Sequence, residues 1–356
     1  MSNAPDNPTI VVGIPHSRKG ADVARRSTTA TIAEVAEHAG VSPATVSRVF
    51  NSRFVGDPAV AERVRASAAA LSYTPNHHAR SLALGRTRAI AFVVPDLANP
   101  AFQAILSSLS KSAARDGYRV LVADSDESRD DEPLLVDEVR RRCDAIVLCA
   151  PRMTDDELVA AAAGIHPLVL INRPMPQIEA PSLSVDYRSG VQGLAAHLAQ
   201  LGHRRIAYLE GPERSVSNRY RLEGLEAFAA AHPEVAIERM PGGFTSEDGE
   251  AAATRVRDSG VTAVLAYNDL VAIGLVGALL EAGVRVPDDI SVAGFDDIPF
   301  ARYTTPPLTT ASVPNSALGE EAWRRMHALL EGQAPAEDAV FQPRLELRAS
   351  TGEPVS

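Results

Sequence analysis

Four apolar runs, "AIAFVVP", "RVLVAD", "AIVLCA" and "LVLIN", recur between residues 89 and 172 with amphipathic stretches between them. This alternation constrains the fold more than any other feature. Such runs read as strands of parallel sheets covered by helices on both faces. After "LSVDY" a second series follows, "RIAYLEG", "AIERMP", "AVLAYND" and "ISVAGFD". Helices are expected near Pro100, Glu132 and Thr154 in the first series, and near Ser217, Thr245 and Asp269 in the second. Two such α/β units in tandem give a bilobed body over residues 87–356, with "TTPPLTTASV" carrying the chain back across the hinge. The expected lobes are 87–187 with 313–342, and 188–312 with 343–356.

Ligands of open α/β sheets bind beyond the strand C-termini. Those ends carry "PDLANPAF", "INRP", "LEGPERSVSNR", "YND" and "GFDD", rich in the Asn, Asp and Arg groups that hydrogen-bond hydroxyls. No paired acid and base, nucleophile-base couple, metal cluster or phosphate-cradling glycine loop stands among them, so neither catalysis nor a cofactor or metal is expected.

A chain of 356 residues, 45% hydrophobic and 22% charged, has room for two or three domains with a sizeable core. Cys143 and Cys149 form no metal-type cluster, and Cys149 lies in an apolar run, which fits a reducing cytoplasm. No segment has the run of about 18 apolar residues that spans a bilayer. The apolar patch near the N-terminus precedes its basic residues, the reverse of a secretory signal, and residues 1–26 read as a flexible extension. Charge is unevenly divided. Residues 1–90 hold eleven Lys and Arg against six Asp and Glu, about +5, so the whole-chain −10 leaves about −15 for the remainder.

The basic end has its own architecture. In "TIAEVAEHAG", Thr31 stands three residues before Glu34, the spacing of a capping box, and Ile32, Val35, Ala36 and Ala39 share a face. Gly40 ends that helix, and Ser42 with Pro43 opens another in which Val46, Val49 and Phe50 face inward while Pro43, Ala44, Ser47 and Arg48 face out. A third helix from Asp57-Pro58 puts Val60, Val64, Ala68 and Leu71 on one stripe. Two short helices joined by a tight glycine turn suggest a helix-turn-helix whose second helix enters a DNA major groove. Small residues permit close approach, and Arg48 can donate to a guanine or a phosphate. The same features also suit an ordinary three-helix bundle.

"TIAEVAEHAGVSPATVSRVFN" followed by "LSYTPNHHARSLALGRT" strongly resembles the DNA-binding head and hinge of the lactose-repressor (LacI/GalR) family of bacterial transcription regulators. The resemblance implies a lambda-repressor-like all-α head over 27–74, a hinge helix over 75–86 and a periplasmic-binding-protein-like body. By resemblance, Pro43, Ala44 and Arg48 read the operator, while Thr31, Ser42, Thr45, Ser47 and Asn51 contact phosphates or stabilise the head. Asn76, Arg80 and Leu82 belong to the hinge, with Leu82 as a minor-groove wedge. The implied effector contacts are Asn99, Phe102, Asn172 and Arg173 from one lobe, and Arg219, Phe244, Asn268 and Asp296 from the other. Ala101 departs from the family's usual double-aromatic loop. Plainer roles exist: Asn268-Asp269 as a helix cap, Asp296-Asp297 as a turn, Phe102 as core.

The resulting expectation is a homodimeric, cytoplasmic and nucleoid-associated bacterial repressor. It binds double-stranded palindromic operator DNA and is controlled by a small polar effector, a sugar or related metabolite, with no membrane association. The alternative is a sugar-binding receptor of a transport system, which a 60-residue head and the missing export signal oppose. The chain carries no leucine-heptad tail after "LELRASTGEPVS", so a dimer is expected rather than a tetramer.

Overall fold

The computed structural model describes residues 10–12, 30–50, 54–73 and 87–354. The chain divides into two compact units, one of residues 14–87 and the other of residues 1–13 with 88–356. Ile10–Val12 form a short strand, β1, of the second unit.

Among its described residues the first unit has three helices, α1 (Ile32–Ala39), α2 (Pro43–Phe50) and α3 (Pro58–Ala70). Thr31 and Glu34 close the expected capping box: the Thr31 amide donates to the Glu34 carboxylate at 2.6 Å, and the Glu34 amide to the Thr31 hydroxyl at 3.3 Å. Gly40 takes a left-handed conformation at φ 66°, and its amide caps carbonyls of α1. Ser42 receives the Thr45 amide at 3.2 Å, and Asp57 receives that of Ala59 at 2.9 Å. Val35, Ala36, Ala39, Val46, Val49, Val64 and Ala68 make the core. Ile32 is in the first turn, at the helix end, and is 36% exposed rather than packed. Val60 and Leu71 are half-buried at the rim of the stripe that Val64 and Ala68 anchor. The Arg63 guanidinium donates to the Ala39 carbonyl at 2.9 Å, tying α3 to the end of α1.

In the second unit β2 (Ala89–Val94), α4 (Pro100–Arg115), β3 (Arg119–Asp124), α5 (Glu132–Arg140), β4 (Ala145–Cys149), α6 (Asp155–Ala162), β5 (Leu168–Ile171) and β6 (Ser182–Val185) alternate as the apolar runs require. The second series is α7 (Tyr187–Gln200), β7 (Arg205–Glu210), α8 (Val216–Ala231), β8 (Ala236–Pro241), α9 (Ser246–Ser259), β9 (Ala263–Ala266), α10 (Asp269–Glu281), β10 (Ser291–Asp296) and β11 (Thr309–Ser312). A 3-10 turn, Pro299–Arg302, lies between the last two strands. The chain then returns through α11 (Asn315–Leu330), β12 (Ala339–Phe341) and β13 (Arg344–Glu346).

One sheet has the order β1-β3-β2-β4-β5-β6-β12, the other β13-β11-β10-β9-β7-β8. All pairs are parallel except β11 with β13. Both sheets are wound alike, reversing direction beside β2 and beside β7. Alternate residues of β2 enter different cores, Ile90 and Phe92 on one face and Ala91 and Val93 on the other, as a strand covered on both faces must. The chain passes between sheets after β6, after β11 and after β12.

β1 departs from the extension expected for residues 1–26. It pairs with β3, Ile10 beside Leu121 and Val12 beside Ala123. Three consecutive β-branched residues favour extended backbone, and the edge of β3 offers unpaired amides and carbonyls.

Close helix crossings depend on glycine. A Cβ at Gly274 of α10 would lie 1.8 Å from the Ser246 carbonyl oxygen of α9, and one at Gly249 would lie 2.1 Å from that of Val271. Gly274→Ala is therefore expected to destabilise the second lobe by about 1–3 kcal/mol, read as a lower denaturation midpoint. Thr31→Ala, which removes the cap, should cost the first unit about 1 kcal/mol, measured as faster amide exchange in α1.

Candidate functional site

The C-terminal ends of the strands in the two lobes converge on one cavity, with about 480 Å³ of empty space counted to its open mouth. Asp96 and Asn99 follow β2, Glu127 follows β3, Arg152 follows β4 and Asn172 follows β5. From the second lobe come Ser217 and Arg221 of α8, with Phe244, Tyr267 and Asp296 at or beyond the ends of β8, β9 and β10. Backbone strain gathers at the same ends. Asn172, Asp296 and Asp297 have φ of 55°, 113° and 56°, values that side-chain-bearing residues rarely adopt.

Arg221 dominates the cavity. It is 2% exposed. Its guanidinium lies over the rings of Phe295, Tyr187 and Tyr267, at 4.0, 4.5 and 4.8 Å from their centroids. Nε and Nη1 are buried without a hydrogen-bond partner. So is Oδ1 of Asn172, from the opposite lobe. Buried polar atoms are nearly always satisfied, so an acceptor-demanding guanidinium and a donor-demanding amide oxygen lining one cavity mark a ligand site. Burial pushes the Asp296 carboxyl up to about 7, against the opposing pull of Arg221.

Arg152 is held differently. The Glu127 carboxylate accepts from its Nε and Nη2 at 2.5 and 2.6 Å, and Nη1 donates to the Ala150 carbonyl at 2.8 Å. Glu132 fixes the loop by accepting the backbone amides of Arg152 and Met153 at 2.7 and 2.8 Å.

Of the effector contacts expected from sequence, Asn99, Phe102, Asn172, Phe244 and Asp296 line the cavity. Arg173, Arg219 and Asn268 do not. Arg173 ties loops together, donating to the Met153 carbonyl and the Asp155 carboxylate, both at 2.8 Å. The Arg219 side chain is 59% exposed beside Glu223. Residues two apart on a helix point about 200° from one another, so with Arg221 inward Arg219 must face out. Asn268 caps α10 by accepting the Val271 amide at 2.8 Å, and donates to the Phe244 carbonyl at 2.9 Å, so it supports the wall without lining it. Sequence reasoning missed Arg221 and Arg152. The helical spacing of Ser217 and Arg221, four residues apart, was the available signal for the first.

In the first unit Thr31, Ser42, Pro43, Ala44 and Arg48 are exposed, and Thr45 and Ser47 are half-buried. The Arg48 Nε donates to the Ala44 carbonyl at 3.3 Å, folding the side chain along its helix. Asn51, Asn76, Arg80 and Leu82 lie outside the described residues, as does the whole of the expected hinge over 75–86. Among the described residues no cluster of acidic, His or Cys side chains suits a metal ion, and no helix is long and apolar enough to cross a membrane.

On the surface of the second lobe Leu280 of α10 is 41% exposed, Phe300 of the 3-10 turn is 60% exposed, and Tyr303, just after that turn, is 83% exposed.

Comparison with known proteins accords with this geometry. Residues 31–76 match the lacI family of bacterial regulatory proteins, and residues 195–351 match a periplasmic binding protein-like domain. The HTH-type transcriptional regulator GalR of Salmonella typhimurium is 35% identical over 332 residues, 91% of this chain and 97% of that protein. The HTH-type transcriptional repressor CytR of Escherichia coli is 30% identical over 314 residues, 87% of this chain and 92% of that one. A lac repressor dimer bound to operator and the anti-inducer ONPF superposes with a TM-score of 0.81 at 30% identity, covering 91% of this chain and all of that one. Head, bilobed body and relatives over nearly its whole length agree: the chain belongs to the lacI family of bacterial regulatory proteins.

Proposed function

We propose that this DNA-binding transcriptional regulator acts as a cytoplasmic, nucleoid-associated repressor that grips a palindromic operator as a dimer and is controlled by a small polar effector in the interlobe cleft. The observation that carries the effector reading is the pair of orphaned groups, Arg221 and Asn172, contributed by different lobes to one cavity. A ligand that satisfies both draws the lobes together about the three chain crossings. It shifts the equilibrium between DNA-binding states only by its difference in affinity for them, about 5.5 kcal/mol for a near-complete switch. The relatives support a sugar-type ligand: one solved neighbour, 28% identical, is a regulator CelR–cellobiose complex. The protein is a regulator, not an enzyme, as its relatives are.

The exposed apolar groups Leu280, Phe300 and Tyr303 support pairing through the second lobe, since burying such side chains against a second copy removes them from water. Dimerisation sets two recognition helices at the spacing of two half-sites. Pro43 and Ala44 have no side-chain donor, so they would read by apolar contact, and hydrogen-bonded discrimination falls on Arg48. Thr31, Ser42, Thr45 and Ser47 would hold phosphates or the helix ends, with Asn51, Asn76, Arg80 and Leu82 contributing from outside the described residues.

Arg48→Ala should cost about 1–3 kcal/mol of operator affinity and relax base preference at one position. Unchanged affinity and preference in gel-shift titrations would remove Arg48 from the recognition role. Arg221→Ala should leave operator binding intact and abolish the response to any metabolite that raises the melting temperature of the unaltered protein. A response that survives this change would place the effector elsewhere.

A further inference from the structure

Resting on the effector reading of the cleft, we propose that α4 and α11 form a single lever from that cleft to Arg88, where the chain enters the body from the head, and that Trp323 and Asp116 are the positioning residues of its far joint.

Both helices start at the cavity: Ala101, Phe102 and Ile105 of α4 and Asn315 of α11 line it. From there they run side by side with their backbones in contact. A Cβ at Gly319 of α11 would lie 2.1 Å from the Ser108 hydroxyl and 2.2 Å from the Ile105 carbonyl oxygen of α4. Helices meshed this closely cannot slide past one another by small steps, so a shift imposed at the cleft reaches the far end of both.

At that end the buried indole of Trp323, on α11, donates to the carboxylate of Asp116, the residue that closes α4, at 2.7 Å. Its ring lies 5.2 Å from that of Tyr118 and 5.4 Å from that of His327. Arg88 rests on the same turn. Its guanidinium is 6.0 Å from the Tyr118 ring centroid, and a Cβ at Gly117 would stand 3.1 Å from its Nη1. Arg88 also has a left-handed backbone, φ 52°, which residues with side chains rarely adopt. It is pinned there from both sides, its amide donating to the Asp144 carboxylate at 2.8 Å and its carbonyl accepting the Arg119 amide at 2.9 Å. A strained residue braced by a turn that α4 and α11 position, at a point where body and head join, is an element with two states to choose between. An open pocket lined by Arg115, Glu320, Arg324 and His327 flanks the indole and leaves it room to shift.

Trp323 is the sole tryptophan of the chain, so its emission reports the joint directly. The probe is a duplex that the full-length protein selects from random DNA, with a scrambled duplex of equal length as control. Emission should change in step with the bound fraction, read in parallel samples from the anisotropy of a dye-labelled copy, and the scrambled duplex should leave it unmoved. Binding of the selected duplex without a change in emission overturns the proposal. Coupling between two sites is reciprocal, so the same duplex should alter amide exchange at the cleft ends of the helices, residues 99–105 and 315–319. Trp323→Phe keeps an aromatic ring but loses the bond to Asp116, and should shrink that DNA-induced difference at least about fivefold while the protein still binds the duplex. Asp116→Ala should do the same, and Asp116→Asn, which keeps an acceptor for the indole, should restore it. Variants that only lower the melting temperature and leave the difference intact overturn the proposal. Where a metabolite still raises the melting temperature after Arg221→Ala, while both helix ends still answer the duplex, the effector leaves the cleft and the joint stands.

Discussion

Parallel strand pairing is the constraint on which the body depends. A parallel strand cannot rejoin its neighbour through a tight turn, so most connections cross a sheet face as helices and both faces become covered, while β5 to β6 and β10 to β11 are joined without an α-helix. The strand ends are then the free surface. In both lobes the winding reverses beside the first strand, β2 or β7, and the loops there part to opposite sides of the sheet. Every polar group of the cavity hangs from such an end or from the helix that follows it.

That scaffold holds arrangements that isolated segments would not keep. Positive φ at Asn172, Asp296 and Asp297 costs about 1–3 kcal/mol each and persists only where the surroundings over-determine the backbone. Arg348 does so for one of them, its guanidinium donating to the Asp297 carboxylate at 2.5 Å and to the Leu308 carbonyl at 2.8 Å. The buried Asp269 carboxylate accepts the Thr310 hydroxyl at 2.6 Å and the Ile298 amide at 2.8 Å, fixing the loop on the other side. With those loops rigid, Arg221 is packed among aromatic rings while its Nε and Nη1 keep no hydrogen-bond partner, so part of its interaction energy is left for a ligand.

The sequence was most legible where a physical signal is local. Capping residues mark α1, α4, α6 and α10, and the apolar runs mark the strands, so Asn172 and Asp296 could be placed at strand ends without the structure. The helix face of α8 was misread: Arg219 and Arg221 are the same residue type two positions apart, and only the packing of Tyr187 and Phe295 against α8 decides which is buried. Arg152 had no local signal at all, because its partner Glu127 lies 25 residues earlier on another strand end. Nor could a polar-flanked Ile-Val-Val triplet announce that it would pair with β3, since an open sheet edge is a property of the assembled sheet.

The amino-acid order by itself determined the division into a capped helical unit and a twice-wound α/β body, the ends at which a ligand site must form, and the small-residue surface of the recognition helix. These follow from periodicity, caps and turn residues, whose physics acts within a few positions. The tertiary structure alone decided which arginine enters the cavity from α8, and which cavity arginine is tied to a carboxylate and which lies among aromatic rings. Those outcomes depend on desolvation and on partners distant in sequence, and such energies exist only once the lobes have closed around them.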